Sequence, residues 1–275
     1  RWAFDGGQPG LKYWLHDFIE AGMQFSDQSD ITLVVTSCGR FDLLKRTLET
    51  FDLFNTADIR EVFITEDSGD EAVRLAIPEH WRSHCSFLIN RPKLGQLASI
   101  DLAYESVNTP YIFHCEDDWA FYRPGFVEDS KVVLELRPDI LQVWLRNYVY
   151  DLQVHSPYIH LGPREVIGGV PCYPLLSDKP EWQGFSLNPG LRRIKEYRLC
   201  APYAGFEGEK GLSRRYAQLN LGAVTLEGDA VLHTGFGLHV ATAEERLNKA
   251  RRKRRERIKL VAMLILGVGI GWLIR

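Results

Sequence analysis

Glu116, Asp117 and Asp118 are the residues of this chain best suited to chemistry; they close the apolar run Tyr111, Ile112, Phe113, His114, Cys115 and are followed at once by Trp119. Like charges held this close resist ionising together. A divalent cation removes that cost, and hard oxygen ligands of this kind suit Mg2+ or Mn2+. The plain alternative is a solvated acidic turn. What decides between them is where the rest of the chain places these carboxylates.

Several elements have to position them. Ile31 to Val35 is a β-branched and aliphatic run that ends in Thr36 and Ser37, and Leu44, Leu48 and Phe51 then fall at helical spacing. Val62 to Ile64 ends in Thr65, Glu66, Asp67 and Ser68, with Asp70 nearby, and Phe87 to Ile89 ends in Asn90. After Gly95 a helix is expected from Gln96 to Val107, stopped by Asn108 and Pro110. A fifth apolar run covers Ile140 to Leu145. Strands alternating with helices predict an α/β fold with a mostly parallel sheet covered by helices. In such a sheet the polar ends of the first four strands share one edge, where open α/β folds bind ligands. Loop chemistry alone can also make strand ends polar.

From about residue 147 the rhythm breaks, with prolines at 157, 163, 171, 174, 180, 189 and 202. This predicts a loop-rich C-terminal half with few regular elements. Its aromatic content rules out a disordered linker. The expected organisation is an N-terminal extension over 1–30, an α/β ligand-binding half over 31–145, a second, substrate-binding half over 146–240, and a basic and apolar segment over 241–275.

Bulk composition is that of an ordinary globular protein, 45% hydrophobic and 25% charged, and the net charge of -3 gives no global attraction to nucleic acid. Cys38, Cys85, Cys115, Cys172 and Cys200 lack zinc-ligand or framework spacing, which predicts free thiols in a reducing compartment. No Walker A sequence is present, and Gly267, Gly269 and Gly271 lie in an apolar tail instead of between a strand and a helix. The basic block from Arg251 to Lys259 precedes Leu260 to Ile274, which carries no charge before Arg275. As a helix that stretch rises about 22 Å, short of a hydrocarbon core of roughly 30 Å. It is expected to cross a thinned membrane or to lie at the interface, with the body on the cytoplasmic side. A buried core helix is the competing reading.

The run Ile31 to Arg40, then Thr65 to Gly69, Gly95 and Gln96 opening a helix, and Glu116 to Asp118 resemble the GT-A-fold nucleotide-sugar glycosyltransferases, family-2-like, over roughly residues 30 to 240. The resemblance implies a nucleoside-diphosphate sugar donor, a divalent metal and transfer to a hydroxyl. Thr36, Ser37 and Arg40 would contact the nucleoside, Asp67 the base or ribose, and Lys93, Gly95 and Gln96 would border the nucleotide. The triplet matches the DxD-type motif, with Glu116 toward ribose or sugar, Asp117 beside the nucleotide and Asp118 on the metal. Glu stands first where many members carry Asp.

An inverting member needs a carboxylate that takes the proton from the acceptor hydroxyl. Glu207 and Glu209 resemble the family's acidic motif opening a helix, here split by Gly208; Glu207 is favoured, and a plain helix-dipole role competes. His233 and His239, flanking a glycine-containing turn, are candidates to complete the metal or diphosphate site, His233 first. Trp119, Trp182 and Asn188 are candidates for the acceptor or sugar wall, with core packing of Trp182 as the alternative. The expected acceptor is a glycan or a lipid-linked molecule at a membrane. Competing functions are a sugar nucleotidyltransferase and a non-catalytic, membrane-tethered sugar-binding protein.

Overall fold

The computed structural model describes residues 22–179, 182 and 184–235. Strand β1 (Ile31–Ser37) is buried along its whole length. Its alternate residues serve two cores: Leu33 and Val35 face one apolar cluster and Val34 the other. The first cluster takes Leu44, Leu48 and Phe51 from α1 (Phe41–Phe54) together with Phe126, Val127, Val133 and Leu134 from α3 (Phe126–Leu136). The second takes Ile100, Ala103 and Tyr104 from α2 (Gln96–Ser106), Ile194 and Tyr197 from α4 (Ile194–Cys200), and Leu212 and Tyr216 from α5 (Gly208–Gln218). A sheet buried on both faces is therefore what these strands need, and it explains why their apolar runs do not alternate.

That sheet has the order β10-β4-β1-β2-β3, where β2 is Glu61–Glu66, β3 Cys85–Ile89, β4 Tyr111–Glu116 and β10 Gly190–Arg193. β1 to β4 run parallel, and β10 is antiparallel to β4. Ser37 lies opposite Glu66, Glu66 opposite Ile89, and Thr36 opposite Glu116. The four polar strand ends thus share one edge, as the sequence predicts.

The fifth predicted strand does not extend this sheet. β6 (Ile140–Trp144) pairs with β11 (Gly222–Leu226) in a second sheet of order β6-β11-β9-β7, with β8 (Glu165–Ile167) also on β9 (Val170–Ser177) and β7 covering Ile159–Leu161. The expected halves 31–145 and 146–240 therefore interleave: β10 from the second half completes the first sheet, and β6 from the first half sits in the second. Gly190 allows the close approach, since a Cβ there would meet the Val143 carbonyl oxygen at 2.8 Å.

The second half holds more regular structure than its prolines suggest. Pro171 and Pro174 lie inside β9 and take part through their carbonyls, which accept from Glu227 N at 3.0 Å and Gly162 N at 2.7 Å. Of the expected N-terminal extension, residues 22–30 belong to the body: Met23 is buried, and Phe25 bridges to Ile59. Among the described residues no helix is long and apolar enough to cross a membrane. The basic and apolar segment over 241–275 and its predicted helix lie outside the described residues. All five cysteines are free thiols.

Candidate active site at the carboxyl edge of the parallel sheet

β4 delivers Glu116 to the sheet edge, and a tight turn at Asp117 and Asp118 leads into β5 (Trp119–Phe121). Helix α1 fixes that turn from behind: Trp119 N donates to Thr47 Oγ1 at 3.0 Å and Phe121 N to Thr50 Oγ1 at 3.1 Å. β12 (Val231–His233) pairs antiparallel with β5, placing His233 opposite Trp119. The chain then folds over Asp118, whose carbonyl accepts from Thr234 N at 2.8 Å and Thr234 Oγ1 at 2.9 Å.

This register brings His233 Nε2 to 3.3 Å from Asp118 Oδ2. The rings of Trp119 and His233 pack at 4.8 Å between centroids. Gly235 lies so close that a Cβ there would fall 2.1 Å from Asp118 Oδ2, so no other residue fits without moving the carboxylate. His239 lies outside the described residues.

Arg40, at the start of α1, spans both aspartates. Its guanidinium pairs with Asp117 through two nitrogens and reaches Asp118 Oδ2 at 2.8 Å. Burial alone would lower the Arg40 pKa, but Asp117 and Asp118 raise it. Asp117 is pushed up to about 6 by burial, which the Arg40 charge only partly offsets. Asp118 is also penalised by burial, yet its bonds to His233 and Arg40 hold it below its ordinary value.

Glu116 is held by Gln96 Nε2 at 2.7 Å and Trp119 Nε1 at 3.3 Å. Its pKa rises to about 8, through burial first and then the charges of Asp118 and Glu209. Burial and mutual repulsion both penalise these carboxylates in their ionised form, and a bound cation would relieve the repulsion.

The residues present fit a divalent metal that shares its coordination with substrate. Among the described residues no three His, Cys, Asp or Glu side chains form a self-sufficient metal site. Asp118 and His233 make a two-ligand set beside a guanidinium that already occupies the cation's electrostatic place. Mg2+ in phosphate-handling sites is characteristically held by one or two carboxylates plus substrate phosphates, and Asp118 offers one such carboxylate beside His233.

The two acidic candidates downstream separate clearly. Gly208 takes a left-handed φ of 60° between them. Glu207 has a side chain 81% exposed and pairs with Arg214 at 3.0 Å. Glu209 turns onto the Ser186–Leu187 segment: its Oε1 accepts from Leu187 N at 2.5 Å and from Ser186 Oγ at 3.4 Å. The residue as a whole is exposed, yet the protein around its carboxylate penalises the charge and raises its pKa, against the lowering effect of Leu187 N–H, Arg192, Ser186 and Arg146. Of the pair, Glu209 is the one electrostatically coupled to Glu116.

The remaining candidates fall in three groups. Lys93 reaches Cys38 Sγ at 3.2 Å at the mouth of the β1 loop, and Thr36 and Ser37 lie buried at the end of β1. Asp67 is committed to the protein: it accepts from Leu94 N at 2.7 Å, Gly95 N at 2.8 Å and Asn90 Nδ2 at 3.0 Å, and so shapes the loop that opens α2. The fully buried Glu66 does likewise for the β1 loop, accepting from Ser68 N at 2.7 Å and Gly39 N at 3.0 Å. Of the wall candidates, Trp119 is 2% exposed and braces Glu116 and His233 from behind. Trp182 packs edge-on to Trp144 at 5.5 Å in an aromatic cluster with Tyr148 and Tyr158. Asn188 contributes its backbone carbonyl to Arg192 and Gln142.

Sequence reasoning passed over Arg146. It follows β6, forks onto Asp151 at 2.6 and 2.7 Å, and lies over the rings of Trp119 at 5.5 Å and Trp144 at 5.9 Å. The signal available was its place at the end of a predicted strand, the same signal that marked Glu116.

No protein-family model matches the chain, and no curated protein matches it in sequence. Solved structures do match in fold. A mannosyltransferase from Pyrobaculum calidifontis, in complex with GDP-Man and Mn2+, aligns with a TM-score of 0.51 at 10% identity over 79% of this chain and 61% of its own. TarS 1-349 from S. aureus aligns with a TM-score of 0.52 at 13% identity over 74% of this chain and 60% of its own. GalNAc-T7, with UDP, GalNAc and Mn2+, gives a TM-score of 0.54 at 11% identity over 78% and 44%. The chain spans less than two thirds of the length of each. With the parallel sheet, its carboxylate-bearing edge and these likenesses together, the chain has the fold of GT-A-type glycosyltransferases.

Proposed function

We propose that this chain is an inverting, divalent-metal-dependent glycosyltransferase that moves a sugar from a nucleoside-diphosphate donor to a hydroxyl of a glycan or membrane-associated acceptor. The observation that carries this reading is that Glu116, two residues from the paired Asp118 and His233, feels the charge of Glu209, a carboxylate fixed by a backbone N–H. The complexes with GDP-Man, UDP and Mn2+ among structures of the same fold support it.

Asp118 and His233 are the residues that would hold the metal, whose chemistry when bound is to neutralise the departing diphosphate. Arg40 supplies a second positive charge on the same side. Glu116, steadied by Gln96 and Trp119, is the hydrogen-bonding group for the ribose or the donor sugar. Glu209 accepts the proton of the acceptor hydroxyl while that oxygen attacks the anomeric carbon on the face opposite the leaving group. The basic block at 251–259 ahead of an uncharged stretch supports attachment to an anionic membrane surface on the cytoplasmic side.

Attack from the opposite face fixes the stereochemistry. With an α-linked donor, proton NMR of the fresh product is expected to show a β-linkage. An α-linked product would overturn the inverting mechanism while leaving glycosyl transfer standing.

A further inference from the structure

The group that the mechanism leaves unexplained is the segment Gly184–Asn188, which supplies the N–H on Glu209 yet has no place in a regular element. It is tied down on every side. Trp144 Nε1 donates to Gly184 O at 3.1 Å, and a Cβ on Gly184 would fall 2.7 Å from the Ala223 Cβ. Gln142, fully buried in β6, accepts from Ser186 N at 3.1 Å and donates to Asn188 O at 3.3 Å. Arg192, buried in β10, donates one nitrogen to Ser186 O at 2.5 Å and to Asn188 O at 3.1 Å. Ser186 Oγ in turn accepts from Asn188 N at 3.1 Å.

A buried guanidinium is costly to desolvate, and a neutral backbone turn needs no charge to hold it. Part of that cost is met by the Tyr104 hydroxyl at 3.5 Å and the Phe185 ring at 5.3 Å, and the charge also acts on Glu209. Glu209 lies against this segment and faces Glu116 from β4, Arg146 from the end of β6, and Arg192 from β10. A base must be placed within hydrogen-bond reach of its proton, and a small misplacement is expensive in rate.

We infer that Arg192 and Gln142 are positioning residues, a two-sided clamp that fixes the Ser186–Asn188 turn so that Leu187 N–H holds the Glu209 carboxylate in its working orientation. This rests on Glu209 acting as the base. Gln142 contributes geometry alone. Arg192 contributes geometry and a positive charge that favours the ionised form of Glu209 against the cost of burying that charge.

The two contributions separate in steady-state kinetics on the full chain. Gln142→Met and Arg192→Lys are each expected to lower kcat by about 100-fold with donor KM nearly unchanged, the scale of loss from a misplaced catalytic group. Arg192→Lys keeps the charge, so the acid limb of its kcat–pH profile stays near that of the native protein; Arg192→Met moves that limb to higher pH. Circular dichroism confirms folding, and Gln142→Met decides the matter if the arginine variants do not fold. A folded Gln142→Met protein with native kcat, or coincident acid limbs for folded Arg192→Lys and Arg192→Met, overturns the clamp. Glu209→Gln serves as the separate control: full turnover in that variant overturns the base assignment itself.

Discussion

Glu207 and Glu209 differ by two positions in sequence and by everything that matters for catalysis in space. The left-handed turn at Gly208 leaves Glu207 in solvent with Arg214 and sends Glu209 onto the Leu187 N–H. The sequence favours Glu207, and the structure reverses that ranking in favour of Glu209, because the ranking depends on Leu187 and Glu116, which are distant in the chain. Glu209→Gln is expected to lower kcat by at least 100-fold, the usual contribution of general base catalysis, and Glu207→Gln to leave it near native. The sign of the pH effect follows from the raised Glu209 pKa. A base works ionised, so activity is lost as pH falls through that pKa, and the acid limb of kcat/KM should lie above the ordinary carboxylate range. A limb at or below that range would contradict the assignment.

At the scale of elements, the first half of the site was legible because its signals are local. Each of β1 to β4 is an apolar run with a polar end, and parallel pairing lines those ends up without further information. The second half was legible only as single residues such as His233 and Glu209, because its strands carry prolines that join through carbonyls and its pairings cross the whole chain. β12 shows what that hides. Three residues long, it carries His233 to Asp118 only through its register with β5, and Gly235 then passes against the carboxylate. Gly235→Ala is therefore expected to push Asp118 aside, to cost about 1–3 kcal/mol of stability as overpacking does, and to weaken Mn2+ binding measured by titration calorimetry. Unchanged Mn2+ affinity would remove Asp118 from the metal site. The same long-range pairing hid the forked bond of Arg40 to Asp117 and Asp118, though Arg40 itself stood out at the turn after β1.

For the whole molecule, the sheet that orders the donor edge and the sheet that carries Arg146 and the Gln142 contact meet where Gly190 lets β10 lie against β6. The candidate residues thus come from both, which is why neither half of the sequence describes the site alone. Residues 251–275 lie outside the described residues, and their attachment to a membrane surface is a proposal that rests on charge and hydropathy alone. Removing residues 251–275 should abolish sedimentation with vesicles containing anionic lipid; co-sedimentation of the shortened chain would place the contact elsewhere. The central claim, metal-dependent glycosyl transfer, is tested most directly by release of nucleoside diphosphate from a panel of nucleotide sugars incubated with the full chain, acceptor-containing membrane extract and Mn2+. The account predicts release from at least one donor, stopped by chelation and by Asp118→Asn. Release from no donor under any of these conditions, or undiminished release from the Asp118→Asn protein, would contradict it.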